Sequence, residues 1–227
     1  MNHEFKNSFS QNTVPAKNEV FKQEKNLAEL YQFSKEVAEY LQREKISNLV
    51  LIDRSARNFY LAVKEYWQAK FPENPEPKYY FFNPDGFKWK GDSEAAAEFA
   101  EVYKDLNKAK DQPLLLFDTC IHSGSTLYPI TSFLKNNGFT DVRVAAIKSP
   151  NTGNAIKADL LVGADILESG SARGCSPFGD GALVTKSAEH IYSAPVQDAE
   201  KKQKALQSRK EIKEAMKSYL AKDKEQN

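Results

Sequence analysis

Three short runs constrain this chain more than anything else in it. Ile46 to Ile52 (ISNLVLI), Leu114 to Phe117 (LLLF) and Val142 to Ile147 (VRVAAI) are almost wholly apolar, and polar or turn-forming residues bound each one. Such runs show no wet face alternating with a dry one, so they belong to strands covered on both sides. Tyr79 to Phe82 is a further strand, and Leu160 to Ile166 another. Helical stripes lie between them. Leu27, Leu30, Tyr31, Ser34, Val37, Ala38 and Leu41 recur at helical spacing from Glu24 onward. Phe59, Ala62, Val63, Tyr66 and Trp67 mark a second helix that stops before Pro72. Ala95 to Leu106 is a third, with Ser93 as its cap, and Thr126 to Asn137 a fourth that ends at Gly138. Strands alternating with helices imply right-handed crossovers, and hence a mostly parallel central sheet flanked by helices. The fold class is α/β, with an N-terminal helix and a charged C-terminal helix.

At 227 residues the chain has enough length for one substantial core. Residues 1 to 22 are polar and lack periodicity, which predicts a loosely held arm; 23 to 196 form a single α/β domain. From 197 to 227 Lys and Glu dominate, yet Ala205, Ile212, Met216 and Tyr219 still make a helical stripe, so this tail is a docked or pairing helix. The segments PENPEP (72–77), NPDGFKWKGDS (83–93) and ESGSARGCSPFGDG (168–181) are loops by their content of Pro, Gly, Asn, Asp and Ser.

Composition excludes several classes of function. A net charge of +1 gives no basic excess for tracking nucleic acid. No apolar run approaches the roughly 20 residues of a membrane helix, and the start MNHEFKNSFSQN holds no apolar signal core. Two cysteines make no disulfide framework. The expectation is a cytoplasmic protein.

The stretch LLLFDTCIHSGSTL (114–127) carries the chemistry. Ligands of open parallel sheets sit outside the carboxyl ends of the strands, and Asp118 stands at such an end. His122, Ser123, Gly124, Ser125 and Thr126 then lead into a helix whose first amides lack internal partners. Free amides, the helix dipole and hydroxyls suit a phosphate, and Gly124 lets the backbone approach it closely. An acidic residue nearby suits sugar hydroxyls on that phosphate, so a phosphorylated ribose meets both demands. The same residues also read as a helix cap after a strand. Neither a nucleotide P-loop nor a dinucleotide-binding fingerprint occurs at any strand-to-helix turn.

These residues resemble the phosphoribosyl-pyrophosphate motif of the type I phosphoribosyltransferases. Asp118 matches the first acidic position, Cys120 and Ile121 the apolar pair, and Ser123, Gly124, Ser125 and Thr126 the loop that cradles the 5-phosphate. Thr119 departs from the pattern: the family carries its second acid there, and an aspartate at this position would restore that acceptor. After the earlier strand, LVLIDRSARNF resembles the family's pyrophosphate loop, with Asp53, Arg54, Ser55, Ala56 and Arg57 turning into a helix. Guanidinium groups suit diphosphate because they offer forked donors and permanent charge. The resemblance spans roughly residues 46 to 166 and leaves both ends unmatched.

The resemblance implies an enzyme of nucleotide metabolism, a glycosyltransferase that binds phosphoribosyl pyrophosphate and transfers phosphoribose to or from a nitrogenous base. The 5-phosphate would sit at 122–126 and pyrophosphate at 53–57, with Mg2+ as cofactor and Asp118 as its protein ligand. Asp118 and His122 are the catalytic candidates; histidine carries protons near neutrality, and His122 serves equally as a phosphate donor or a solvated side chain. Thr119 counts among the substrate-binding positions. Phe87, Lys88, Trp89 and Lys90 fall where the family has a mobile loop over the reacting centre, or in a packed surface loop. Arg173, Ser176 and Phe178 fall where family members contact the base. Cys120 beside His122, and Cys175 with His190, make thin cases for a thiol nucleophile, and neither is adopted. The alternative is a non-catalytic sensor or regulatory subunit of the same fold that binds a phosphoribosylated metabolite, favoured by Thr119. A third reading is an unrelated α/β hydrolase or interaction domain. The partner is a small molecule, and self-association into a homodimer stays open.

Overall fold

A computed structural model describes residues 24–53, 56–88, 90–119, 126–147, 158–162, 184–185 and 189–225. Helix α1 (Glu24–Arg43) leads to β1 (Asn48–Ile52), α2 (Ala56–Lys70) and β2 (Lys78–Phe82). Then come α3 (Pro84–Lys88), α4 (Asp92–Val102), α5 (Lys104–Asn107) and β3 (Leu114–Asp118). Helix α6 (Leu127–Asn136), β4 (Val142–Ile147) and β5 (Leu160–Val162) follow. A two-stranded pair, β6 (Val184–Thr185) and β7 (Ala194–Pro195), precedes α7 (Ala199–Glu225).

Among the described residues the sheet has five strands in the order β2-β1-β3-β4-β5, and each pairing is parallel. Strand alternation divides the core in two. Leu49, Leu51, Leu115, Phe117, Ala145 and Ile147 face α1, α2 and α7. Val50, Ile52, Leu114, Leu116, Val144 and Ala146 face α4 and α6. Burying each large apolar side chain is worth about 1.5–3 kcal/mol, so a sheet dry on both faces is the main stabilising layer. The mostly parallel α/β sandwich expected from the three apolar runs is the fold observed.

Helix ends follow their local chemistry. Helix α1 closes with Lys45 at φ 54°, Lys45 N–H bonded to Gln42 O and Ile46 N–H to Leu41 O. Helix α6 closes the same way through Gly138 at φ 91°, with Phe139 N–H on Leu134 O. Both are Schellman ends, each with an apolar residue folded back on the last turn. Chain order changes direction at β1, whose neighbours are β2 on one side and β3 on the other. The carboxyl ends of β1 and β3 therefore flank the sheet's topological switch point.

Three details differ from the sequence reading. Residues 84–88 form a short helix rather than loop, because Asn83 Oδ1 accepts the Asp85 N–H at its start. Phe87 is half-buried and packs against Phe82 and Phe133, with centroids at 5.7 and 5.0 Å. Helix α4 starts after Gly91, not at Ser93, and makes no side-chain cap bond. The helix drawn from Ala95 to Leu106 breaks at Tyr103 into α4 and α5. Strand β5 is described over Leu160–Val162, as expected there, and the rest of the run to Ile166 lies outside the described residues.

Helix α7 is docked. Ala205, Ile212, Met216 and Leu220 are buried, the last three within the core shared by α1 and α2, and Tyr219 stacks on Tyr31 at 5.4 Å. Lys70 of α2 donates to Asp223. Among the described residues no helix is long and apolar enough to cross a membrane.

Candidate active site at the β1 and β3 ends

Asp53 follows β1 directly and Asp118 ends β3, two strands that pair in register from Asn48↔Leu114 to Leu51↔Phe117. The two stretches singled out from the sequence thus meet at the switch point, although β2 and the helices α2 to α5 lie between them in the chain. Phe59, two residues beyond Arg57, stacks on Phe117, one residue before Asp118. This stack ties the first turn of α2 to the end of β3.

Asp118 keeps 9% of its surface exposed, and Thr119 keeps 1%. Both hold partners in the folded chain. Asp118 therefore retains a small solvent window at the strand end, whereas an aspartate at 119 would be buried rather than presented to a ligand. Thr126 is the residue before α6; its side chain makes no cap bond, so the first amides of that helix are not spent on it. Pro129 in the same turn contributes no N–H. Cys120, Ile121, His122, Ser123, Gly124 and Ser125 lie outside the described residues, as do Arg54, Ser55, Trp89, Arg173, Cys175, Ser176 and Phe178.

Asp53 and Arg57 pair with each other. Arg57 donates from Nε at 2.6 Å and from Nη2 at 2.8 Å to the two carboxylate oxygens of Asp53. The Asp53 side chain has no exposed surface, and Arg57 keeps 25%. The guanidinium carbon also lies 4.0 Å from the centroid of the Phe81 ring, a cation–π contact. Ala56, fully buried at the start of α2, packs in the core.

A further group at this end of the sheet was not legible beforehand. Asn83, just past β2, is buried; its N–H donates to Ile191 O at 2.7 Å and its Nδ2 to His190 O at 2.8 Å. Tyr103 Oη lies 2.5 Å from Phe81 O and 3.2 Å from Ile191 O, and burial pushes its hydroxyl well above the usual tyrosine range. Glu98 accepts from Ile191 N–H at 3.3 Å and pairs with His190 and Lys90. These contacts pin residues 190–191 over the end of β2. The only sequence signal was the turn composition of NPDG, which says nothing of a partner more than a hundred residues away.

The chemistry of the donor set bears on a metal. Mg2+ is held through one or two carboxylates together with substrate phosphates, not by all-protein cages. One carboxylate at a strand end fits an ion that arrives with a diphosphate. Among the described residues no group of three His, Cys, Asp or Glu side chains converges on one point.

The sequence matches no protein-family model and no curated protein. Solved structures similar to it include a hypoxanthine-guanine phosphoribosyltransferase from Leishmania tarentolae in complex with GMP. That match has 12% identity, 61% of this chain, 75% of the other and a TM-score of 0.43. A hypoxanthine phosphoribosyltransferase from Staphylococcus aureus matches at 14% identity over 60% of this chain and 72% of the other, with a TM-score of 0.40. A variant of the Trypanosoma cruzi enzyme with the product IMP matches at 10% identity over 61% and 70%, with a TM-score of 0.41. The likeness is to a phosphoribosyltransferase-like fold.

Proposed function

We propose that this chain is a phosphoribosyltransferase-like enzyme that binds phosphoribosyl pyrophosphate between the carboxyl ends of β1 and β3. One observation carries the reading: the stretches at 53–57 and 118–126 follow two neighbouring strands at the switch point of the parallel sheet. A ligand with phosphates at both ends of a ribose matches a cationic turn at one strand end and a hydroxyl-rich helix entry at the other.

In this reading Arg57 holds pyrophosphate with the amides around Ala56, and residues 122–126 hold the 5-phosphate. Asp118 accepts from the ribose hydroxyls and would be the protein ligand of Mg2+, which supplies neutralisation of diphosphate charge when bound. The bond from the anomeric carbon to pyrophosphate oxygen breaks, with the electron pair leaving on pyrophosphate. A nitrogen of the base forms the new bond to that carbon, and His122 is the group in the loop able to take its proton. No protein nucleophile is needed; positioning and charge stabilisation supply the rate. Residues 23–196 act as one domain, with α7 as its docked C-terminal helix and 1–22 dispensable to it.

A sensor or regulatory subunit is the second reading, because Thr119 replaces an acid and is sealed from solvent. A turnover assay separates the two. Pyrophosphate release from phosphoribosyl pyrophosphate, Mg2+ and a panel of purine and pyrimidine bases supports the enzyme; ligand binding with no release for any base supports the sensor.

A further inference from the structure

Asp53 is a poor ligand group for a diphosphate. Its carboxylate is fully buried and negatively charged, and both of its oxygens accept from Arg57. It is held in turn by its own backbone, whose N–H donates to Phe82 O at 2.9 Å, so its position is tied to β2 as well as β1. Arg57 is therefore clamped along its Nε–Nη2 edge by a carboxylate and on one face by the Phe81 ring. A guanidinium has five N–H donors, of which this pair uses two. Three remain, two of them on Nη1, on a side chain that keeps 25% exposure.

We infer that Asp53 is a positioning residue: it fixes the Arg57 guanidinium so that its Nη1 edge receives the pyrophosphate of the ligand. The inference rests on the proposed phosphoribosyl pyrophosphate site and assigns the division of labour within it. Two physical effects oppose each other here. The Asp53 charge lowers the attraction of this loop for an anion, so charge alone makes its removal favourable to binding. Its removal also frees a long side chain, and ordering one such side chain on binding costs about 0.5–1.5 kcal/mol in addition to lost fork geometry. Positioning and simple charge thus predict opposite signs for the same substitution.

The test is calorimetric titration of the full chain with inorganic pyrophosphate, and separately with ribose 5-phosphate, both with Mg2+. Asp53→Asn is expected to weaken pyrophosphate about tenfold although it removes a negative charge, and to leave ribose 5-phosphate unchanged. Arg57→Lys keeps the charge but loses the fork, and is expected to weaken pyrophosphate to a similar degree. In the Arg57→Lys background, Asp53→Asn should add no further loss, since it acts only through the arginine. Should Asp53→Asn not fold, Asp53→Glu, which keeps the charge and shifts the carboxylate off the Nε–Nη2 edge, decides in its place, with a similar loss of pyrophosphate affinity expected. Unchanged or tighter pyrophosphate binding in the variants, with ribose 5-phosphate still bound by the parent, overturns the inference and leaves the site. A parent chain that binds neither probe overturns the site reading, and the inference with it.

Discussion

The rings of Phe59 and Phe117 stack face to face, with centroids 4.3 Å apart and planes 11° from parallel. Both side chains are fully buried. One belongs to the helix that starts at the Asp53–Arg57 turn, the other precedes Asp118, so the stack sets the distance between the two halves of the candidate site. Phe59→Ala is expected to cost about 3–5 kcal/mol in urea unfolding, because it removes a core ring and leaves a cavity beneath β3. A loss below about 1 kcal/mol would show that the helix and strand are held together elsewhere.

Gly86 faces the carbonyl of His190 so closely that a Cβ would stand 1.8 Å from its oxygen. The obstacle is backbone, which cannot swing aside as a flexible side chain can. Gly86→Ala should displace residues 190–191 from Asn83 and Tyr103, at a cost of about 1–3 kcal/mol. Hydrogen exchange at the Asn83 and Ile191 amides reads the displacement; unchanged protection there contradicts the packing described.

Much of the frame was legible in the sequence because it depends on periodicity. The stripe from Leu27 to Leu41 and the runs around Val50, Leu116 and Val144 could satisfy their apolar surfaces only as helices and buried strands. What escaped depends on pairs remote in sequence. Nothing in NPDG announces that Asn83 will bond to His190, or that Phe87 will pack on Phe133. DRSAR displays two arginines and an aspartate, but not that Arg57 and Asp53 take each other as partners. The order of motifs along the chain was readable; their convergence on adjacent strands needed the strand order β2-β1-β3.

The docking of α7 should make a pH-dependent contribution to stability. The hydrogen bond from Lys70 holds the Asp223 carboxyl below its ordinary range, with the charges of Lys70 and Lys35 adding to it. A depressed carboxyl contributes stability above its unfolded pKa of about 3.9 and loses it as the pH falls through the lower folded value. At the alkaline end, burial and then the charge of Asp223 push the Tyr31 hydroxyl up to about 12. A raised phenol contributes stability that is complete below about pH 10 and is lost as the pH rises toward the folded value. Urea midpoints for the parent and Asp223→Asn should differ from pH 5 to 8 and converge below about pH 4. Parallel curves at all acid pH values would remove this pair from the account.

Thr119→Asp should destabilise the chain rather than complete the site. The residue keeps 1% exposure, and burying a polar group without compensation costs about 2 kcal/mol or more. The expected result is a lower urea midpoint at pH 7, partly recovered at pH 4 where the carboxyl takes up a proton. A variant of parental stability that binds phosphoribosyl pyrophosphate more tightly with Mg2+ would instead mark Thr119 as a lost acidic contact.

The most direct measurement is calorimetric titration of phosphoribosyl pyrophosphate, with Mg2+, into the parent chain and Asp118→Asn. The substitution keeps the shape of a strand-end side chain that is 9% exposed and removes its charge. A charge-assisted hydrogen bond is worth about 1.5–3 kcal/mol, so affinity should fall by about one to two powers of ten. The account predicts saturable binding to the parent, that loss in the variant, and ribose 5-phosphate weakened along with the whole ligand. Equal affinity in parent and variant, or no binding to the parent at all, would contradict a phosphoribose site at the ends of β1 and β3.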